Sequence, residues 1–124
     1  MSPPMWVALI AAGAAGAPVR YLVDGFVRDR AGAGFPWGTF VVNATGSLLL
    51  GLLTGLGLYH AFPDTPRLVL GTGFCGAYTT FSTFTVETVR LLERGALGAA
   101  FRYALGSVAV CSGAAAAGVA LAAL

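Results

Sequence analysis

Lysine is absent from this chain, and charge of either sign is scarce: seven arginines, five acidic residues and one histidine in 124 residues, so that 10% of positions are charged. A soluble domain carries about 25% charge, and this one has too little to keep a large surface hydrated. The net charge of +2 supplies no basic field for nucleic acid. Only two cysteines occur, Cys75 and Cys111, too few for a disulfide framework and without metal-ligand spacing. Both fall in apolar stretches, where a free thiol acts as a small apolar residue. The chain lacks a nucleophile–base pair, a cluster of metal ligands and a phosphate-cradling glycine loop, so an enzyme is not expected. No Lys or Arg precedes the first apolar run, although Ala-Gly-Ala within 14–18 imitates a cleavage site. That run is therefore read as a retained helix. No unit repeats at a period of about 20–50 residues.

What is present is apolar length. Hydrophobic residues make up 57% of the chain, the mean hydropathy is +0.82, and uncharged runs cover 1–19, 35–59, 68–86 and 103–124. A spanning helix needs about 20 such residues. The expected fold is an all-α membrane protein of four transmembrane helices, one domain over 1–124. A soluble bundle of unusually apolar helices is the alternative, and four runs of this length stand against it. The arginines mark topology. Arg28 and Arg30 follow the first run, while Arg90, Arg94 and Arg102 flank the third connection. The second connection has only Arg67, and the C-terminal tail has none. By the positive-inside rule the first and third connections favour the cytoplasm and both termini the outside.

Helix 1 is expected over Pro4–Val23, with Pro18 as a kink and Arg20 near its end, then a polar loop over 24–34. Helix 2 is expected over Pro36–Tyr59, with Pro36 in its first turn. The third run starts near Arg67, breaks around Gly73–Thr79 and resumes through Arg90. After a turn near Glu93–Gly95, helix 4 covers Gly98–Ala122. The segment GTGFCGAYTTFSTF at 71–84 is the unusual one. Free backbone polar groups in hydrocarbon cost several kcal/mol each, by order of magnitude, so a glycine-rich break survives only against protein or water. Breaks of this kind mark ion and substrate sites.

Side chains with chemistry cluster around that break. In helix 2, Thr39, Asn43, Ser47, Gly51 and Gly55 recur every four residues as one ridge. Its lower part is a small-xxx-small face for helix contact. Asn43 either bonds a neighbouring helix or offers its NH2 to an anion. In the third run Phe81, Phe84 and Thr88 share one face, and Thr80, Thr83 and Glu87 an adjacent one. A phenylalanine pair at this spacing is ordinarily core or lipid contact. Here it follows a break beside a stripe of hydroxyls, and ring edges carry partial positive charge. Two inward edges would hold a small anion weakly enough to release it, as conduction requires. In helix 4, Tyr103, Ser107 and Cys111 align, with Ser112 about 100° away. Their hydroxyls either line a pathway or bond back to their own helix. Glu87 either serves a pathway or pairs with Arg90. Arg20 either attracts anions to a vestibule or snorkels to the headgroups.

GFCGAYTTFSTF, with GTFVVN at 38–43 and GAPVRY at 16–21, resembles the Fluc (CrcB) family of bacterial fluoride channels over essentially the whole chain. The resemblance implies an antiparallel, dual-topology dimer with two fluoride pores in a bacterial inner membrane. It matches Phe81 and Phe84 to the pore phenylalanines and Asn43 to the pore asparagine. It places Thr80, Ser82, Thr83, Glu87, Tyr103 and Ser107 at or near a polar track. It further implies a structural, non-exchanging sodium ion at the dimer interface, bound by the carbonyls of Gly76 and Thr79 from both subunits. Two departures stand out: Ala77, followed by Tyr78, replaces a second glycine, and Cys111 stands where a hydroxyl is usual. The arginine asymmetry leaves two partners open, a second copy of the chain or a paralogue of opposite topology; the homodimer is favoured because Arg20 and Arg102 lie near membrane depth. The expected function is passive fluoride export, relieving fluoride toxicity. The alternatives are a small proton-coupled multidrug exporter, for which Glu87 is the one candidate coupling carboxylate, and a purely structural membrane subunit.

Overall fold

The computed structural model describes residues 2–124, which are helical throughout apart from short connections. Helix α1 spans Pro3–Ala31, α2 Trp37–Tyr59 and α6 Leu97–Ala122. These three are long and apolar enough to cross a membrane. The third run is composite. A short α3 (Asp64–Leu68) continues into a wide π-helical segment (Val69–Cys75) and α4 (Gly76–Tyr78). After a two-residue interruption α5 follows over Phe81–Glu93.

Two sequence expectations need correction. The first is the end of α1, which passes Val23 and absorbs most of the expected polar loop over 24–34. Polar residues at i, i+4 explain this, because they pair best when the backbone stays helical. Asp24 pairs with Arg28 in this way. The Arg30 guanidinium lies 3.5 Å from the Phe26 ring centroid and donates to the Phe26 carbonyl, a cation–π contact one turn apart. Arg28 and Arg30 occupy the last turn, where cations oppose the negative end of the helix dipole. Gly32, at φ 85°, then ends the helix in a conformation few other residues adopt. Pro18 lies inside α1 without ending it. At the start of α2, Pro36 caps the helix from just outside its first turn.

The second correction concerns the break. Gly71 and Gly73 do not unwind; they lie in the π-helical segment, and Gly76 opens α4. Their lack of side chains is used for approach instead. A Cβ on Gly73 would stand 2.9 Å from the Leu9 carbonyl and 3.0 Å from Ala12 Cβ of α1, and α1 packs on this segment more than on any other element. The interruption itself is confined to Thr79 and Thr80, which are extended at ψ 159° and ψ 121°. Ala77 remains ordinary helix, so the missing second glycine costs nothing, and Ala61 is the one non-glycine residue with positive φ among the described residues.

The small-residue face of α2 meets α6 as expected, and this is the most extensive helix contact. Gly51 and Gly55 face Ala115, Val119 and Ala122 of α6, while Gly118 of α6 sits against the α2 backbone. A Cβ at Gly118 would lie 2.6 Å from the Leu52 amide nitrogen, a rigid neighbour. Gly118→Ala is therefore expected to lower the thermal midpoint of the purified protein in detergent, at a cost of about 1–3 kcal/mol for overpacking. An unchanged midpoint would show that α2 and α6 separate freely. His60 Nε2 and the Ala122 carbonyl, 2.6 Å apart, tie the far ends of the same two helices.

Candidate functional site

The break is held open by one side chain. Asn43 of α2 donates from Nδ2 to the Thr80 carbonyl (2.9 Å) and accepts the Thr80 N–H on Oδ1 (2.8 Å). An amide carries both a donor and an acceptor on one planar group, so it replaces a missing pair of helix bonds in a single contact. The bonding alternative read from the sequence is thus realised, and one N–H of the amide remains beyond the Thr80 bond. Thr80 then caps α5, its Oγ1 accepting from the Thr83 N–H (3.2 Å) and donating to Thr83 Oγ1 (3.1 Å). Ser82 Oγ lies 3.3 Å from the same hydroxyl. The expected hydroxyl stripe is thus a cap network around Thr80.

These diversions have a consequence for the carbonyls. In an uninterrupted helix Gly76 would accept from the Thr80 N–H and Thr79 from the Thr83 N–H. Asn43 takes the first donor and the Thr80 hydroxyl takes the second. The Gly76 and Thr79 carbonyls are therefore left without their helical partners. On the other side of the interruption the Cys75 carbonyl is doubly used, by the Thr79 N–H and by Thr79 Oγ1, each at 2.9 Å. Tyr78, which the sequence reading did not place in the site, braces the arm: its phenol oxygen lies 2.9 Å from Thr45 Oγ1 of α2. Spacing within one run carries no signal for such a contact.

Two cavities adjoin the break, and a third lies at one end of the molecule. A groove of about 290 Å³ runs between α2, α5 and α6, lined by Asn43, Gly46, Ser47, Leu50, Thr79, Thr80, Phe81, Phe84, Ser107, Val108 and Cys111. No lining residue carries a charge. Ser107 Oγ is buried and has no hydrogen-bond partner, so it does not bond back to its own helix. Phe81 and Phe84 lie with ring centroids 5.9 Å apart, Phe84 half-buried and Phe81 78% exposed in the single chain. Cys111 belongs to the same wall, and Ser112 is exposed.

On the opposite side of Thr80 a cavity of about 220 Å³ is lined by Arg20, Tyr21, Asp24, Thr39, Thr80 and Thr83, with Ala17 and Val42. Arg20 is half-buried there, more enclosed than a freely snorkelling side chain. A third cavity, about 380 Å³, opens between the α1–α2 and α5–α6 ends and includes Asp24, Arg28, Glu87, Arg90, Glu93 and Arg94 beside Phe35 and Trp37. The arginines of the first and third connections thus share one end of the molecule, the distribution on which the topology reading rests.

Glu87 forms no ion pair with Arg90 among the described residues. Its Oε1 instead accepts from the Tyr103 phenol at 2.9 Å. Tyr103 is fully buried, with Phe35 edge-on at 5.4 Å and Phe84 tilted at 5.1 Å. It therefore couples the Phe84 ring to Glu87 without lining the groove. Phe35 and Phe40, which complete this aromatic cluster, were not singled out by the sequence; only their distance from Tyr103 in the fold makes them relevant.

A helical membrane protein with a span interrupted beside an uncharged groove has the architecture of an ion pathway, as opposed to a lipid-facing scaffold. The chain belongs to the CrcB family: residues 7–119 match the family described as CrcB-like protein, Camphor Resistance (CrcB). It is 52% identical over 114 residues to "Fluoride-specific ion channel FluC 1" of Streptomyces avermitilis, covering 92% of each chain. It is 51% identical over 122 residues to the protein of the same description from Frankia casuarinae, covering 94% of this chain and 95% of that one. "Fluoride-specific ion channel FluC" of Nitrobacter winogradskyi is 45% identical over 114 residues, with 91% and 90% covered.

Proposed function

We propose that this chain is a fluoride-selective channel through which cytoplasmic fluoride leaves passively, down its electrochemical gradient. The observation that carries the reading is the uncharged groove in which the Asn43 amide, the unpartnered Ser107 hydroxyl and the Phe81–Phe84 pair meet one space. The descriptions of the relatives point to the same ion. Fluoride is small and strongly hydrated, so a pathway must replace its water with close donors. A hydroxyl, an amide and positive ring edges do this without a fixed cation, which would bind too tightly for release. Arg20, in the cavity on the other side of Thr80, attracts anions outside the narrow part. Tyr103 holds the Glu87 carboxylate and the Phe84 ring in place.

The groove is open on the Phe81 side, and a second, antiparallel copy of the chain would close it, giving two pores per dimer. A paralogue of opposite topology would do the same. The Gly76 and Thr79 carbonyls suit a structural sodium ion between the two copies, since hard cations take oxygen ligands and both oxygens have lost their helical donors. The protein would lie in a bacterial inner membrane as a multi-pass channel, lowering fluoride toxicity. A proton-coupled multidrug exporter is disfavoured, because its coupling carboxylate would have to be Glu87, which is bonded to Tyr103 away from the groove.

The purified chain in liposomes should release fluoride to an ion-selective electrode and retain chloride, with no uptake of cationic dye. Ser107→Ala should slow fluoride release several-fold while leaving folding intact, since its hydroxyl bonds nothing in the protein. Absence of fluoride release from the unmodified chain would end the proposal.

A further inference from the structure

We infer that Cys111 is a covalent modification site inside the groove: a small thiol-reactive electrophile that caps it obstructs ion passage, and a reductant reverses the block. Two independent observations place the thiol where a permeating ion must pass. Cys111 is partly exposed and lines the same groove as the Phe81–Phe84 pair. One helical turn before it, Ser107 is 6% exposed, lines the same groove and carries a hydroxyl with no protein partner. Residues at i and i+4 stack on one helix face, so Ser107 and Cys111 form one strip of the groove wall. Cys75 makes the contrast. It is 2% exposed, lines none of the three cavities and lies on the π-helical segment packed against α1.

The chemistry is simple thiol capture. With methyl methanethiosulfonate, the Cys111 thiolate attacks the sulfenyl sulfur and a new S–S bond forms. The S–SO2 bond breaks, methanesulfinate leaves with the electron pair, and the thiol proton passes to water. The methylthio group now projecting from α6 adds apolar bulk and no donor to a groove of about 290 Å³. A dithiol reductant restores the free thiol by exchange. A hydroxyl at this position would be inert, so the sensitivity belongs to this chain's own residue.

The flux part of the inference rests on the fluoride-channel reading, and the labelling part does not. Proteoliposomes of the unmodified chain are treated with methyl methanethiosulfonate, and fluoride release is followed before treatment, after it and after dithiothreitol. Adducts are mapped by peptide mass spectrometry. We expect one S-methylthio adduct (a methyl disulfide) at Cys111, at least a fivefold loss of flux, and recovery on reduction. Cys111→Ser, measured against its own untreated flux, should lose the response, and Cys75→Ser should keep it. An adduct at Cys111 with unchanged flux overturns the inference, as does a block that survives in Cys111→Ser or a Cys111 that takes no label. Silent flux before any treatment would instead condemn the channel reading, while the adduct map would still decide whether the thiol is reachable.

Discussion

Asn43→Ala is expected to abolish measurable fluoride release from proteoliposomes and to lower the thermal midpoint of the protein in detergent. The substitution removes two hydrogen bonds at once, to the Thr80 carbonyl and from the Thr80 N–H. Both groups belong to Thr80, which is buried, and each orphaned backbone group costs about 1–3 kcal/mol. The freed Thr80 N–H can regain a partner if the chain rewinds toward Gly76, the acceptor that a continuous helix would supply. Rewinding would turn Phe81 and the Thr80 cap away from the groove, so stability and flux should fall together. Asn43→Asp separates the two effects. A carboxylate still accepts the Thr80 N–H but donates nothing, and it adds a negative charge to the path. It should restore part of the stability and none of the flux. Fluoride release within twofold of the unmodified chain in both variants would show that the amide is neither clamp nor donor.

Phe81→Ile should cut fluoride release by at least about tenfold, equivalent to roughly 1.4 kcal/mol of added barrier, with little change in stability. Phe81 is 78% exposed in the single chain and its only aromatic neighbour is Phe84, so removing its ring leaves no cavity inside the protomer. Isoleucine retains bulk and apolar character but has no positive edge to offer an anion. Phe84→Ile should lose flux as severely and also lose stability, because Phe84 packs on the buried Tyr103 at 5.1 Å. The split between the two variants distinguishes an electrostatic role of the rings from simple space filling. Equal flux in Phe81→Ile and the unmodified chain would remove the ring edges from the mechanism.

Much of this protein could be read from residue order because lipid leaves little choice. Long uncharged runs must become helices, since no other structure satisfies the backbone in hydrocarbon, and α2 and α6 appear within a residue or so of their expected limits. The small-residue face of α2 was legible for the same reason: only such a face lets two backbones come as close as Gly51 and Gly118 do. The end of α1 was misread because Asp24, Arg28 and Arg30 look like loop residues when counted singly. As i, i+4 partners they extend the helix.

The break illustrates the boundary between the two kinds of information. A run of glycine and hydroxyl residues announces that a span is interrupted, but not at which peptide. Gly73 and Gly76 lie in the expected break and are helical, and Gly73 serves contact with α1. The interruption lies at Thr79–Thr80 because Asn43, 37 residues away in sequence, captures both polar groups of Thr80. Residue order alone determined that this is an all-helical chain for lipid, with a defective third span and an uncharged polar wall. Tertiary structure alone decided which carbonyls lose their donors, that Glu87 answers to Tyr103, and that the Ser107–Cys111 strip faces the groove lined by Asn43 and Phe84. The physical reason is that helix formation is settled by bonds within a few residues, whereas a hydrogen bond between helices exists only once packing has brought its two ends together.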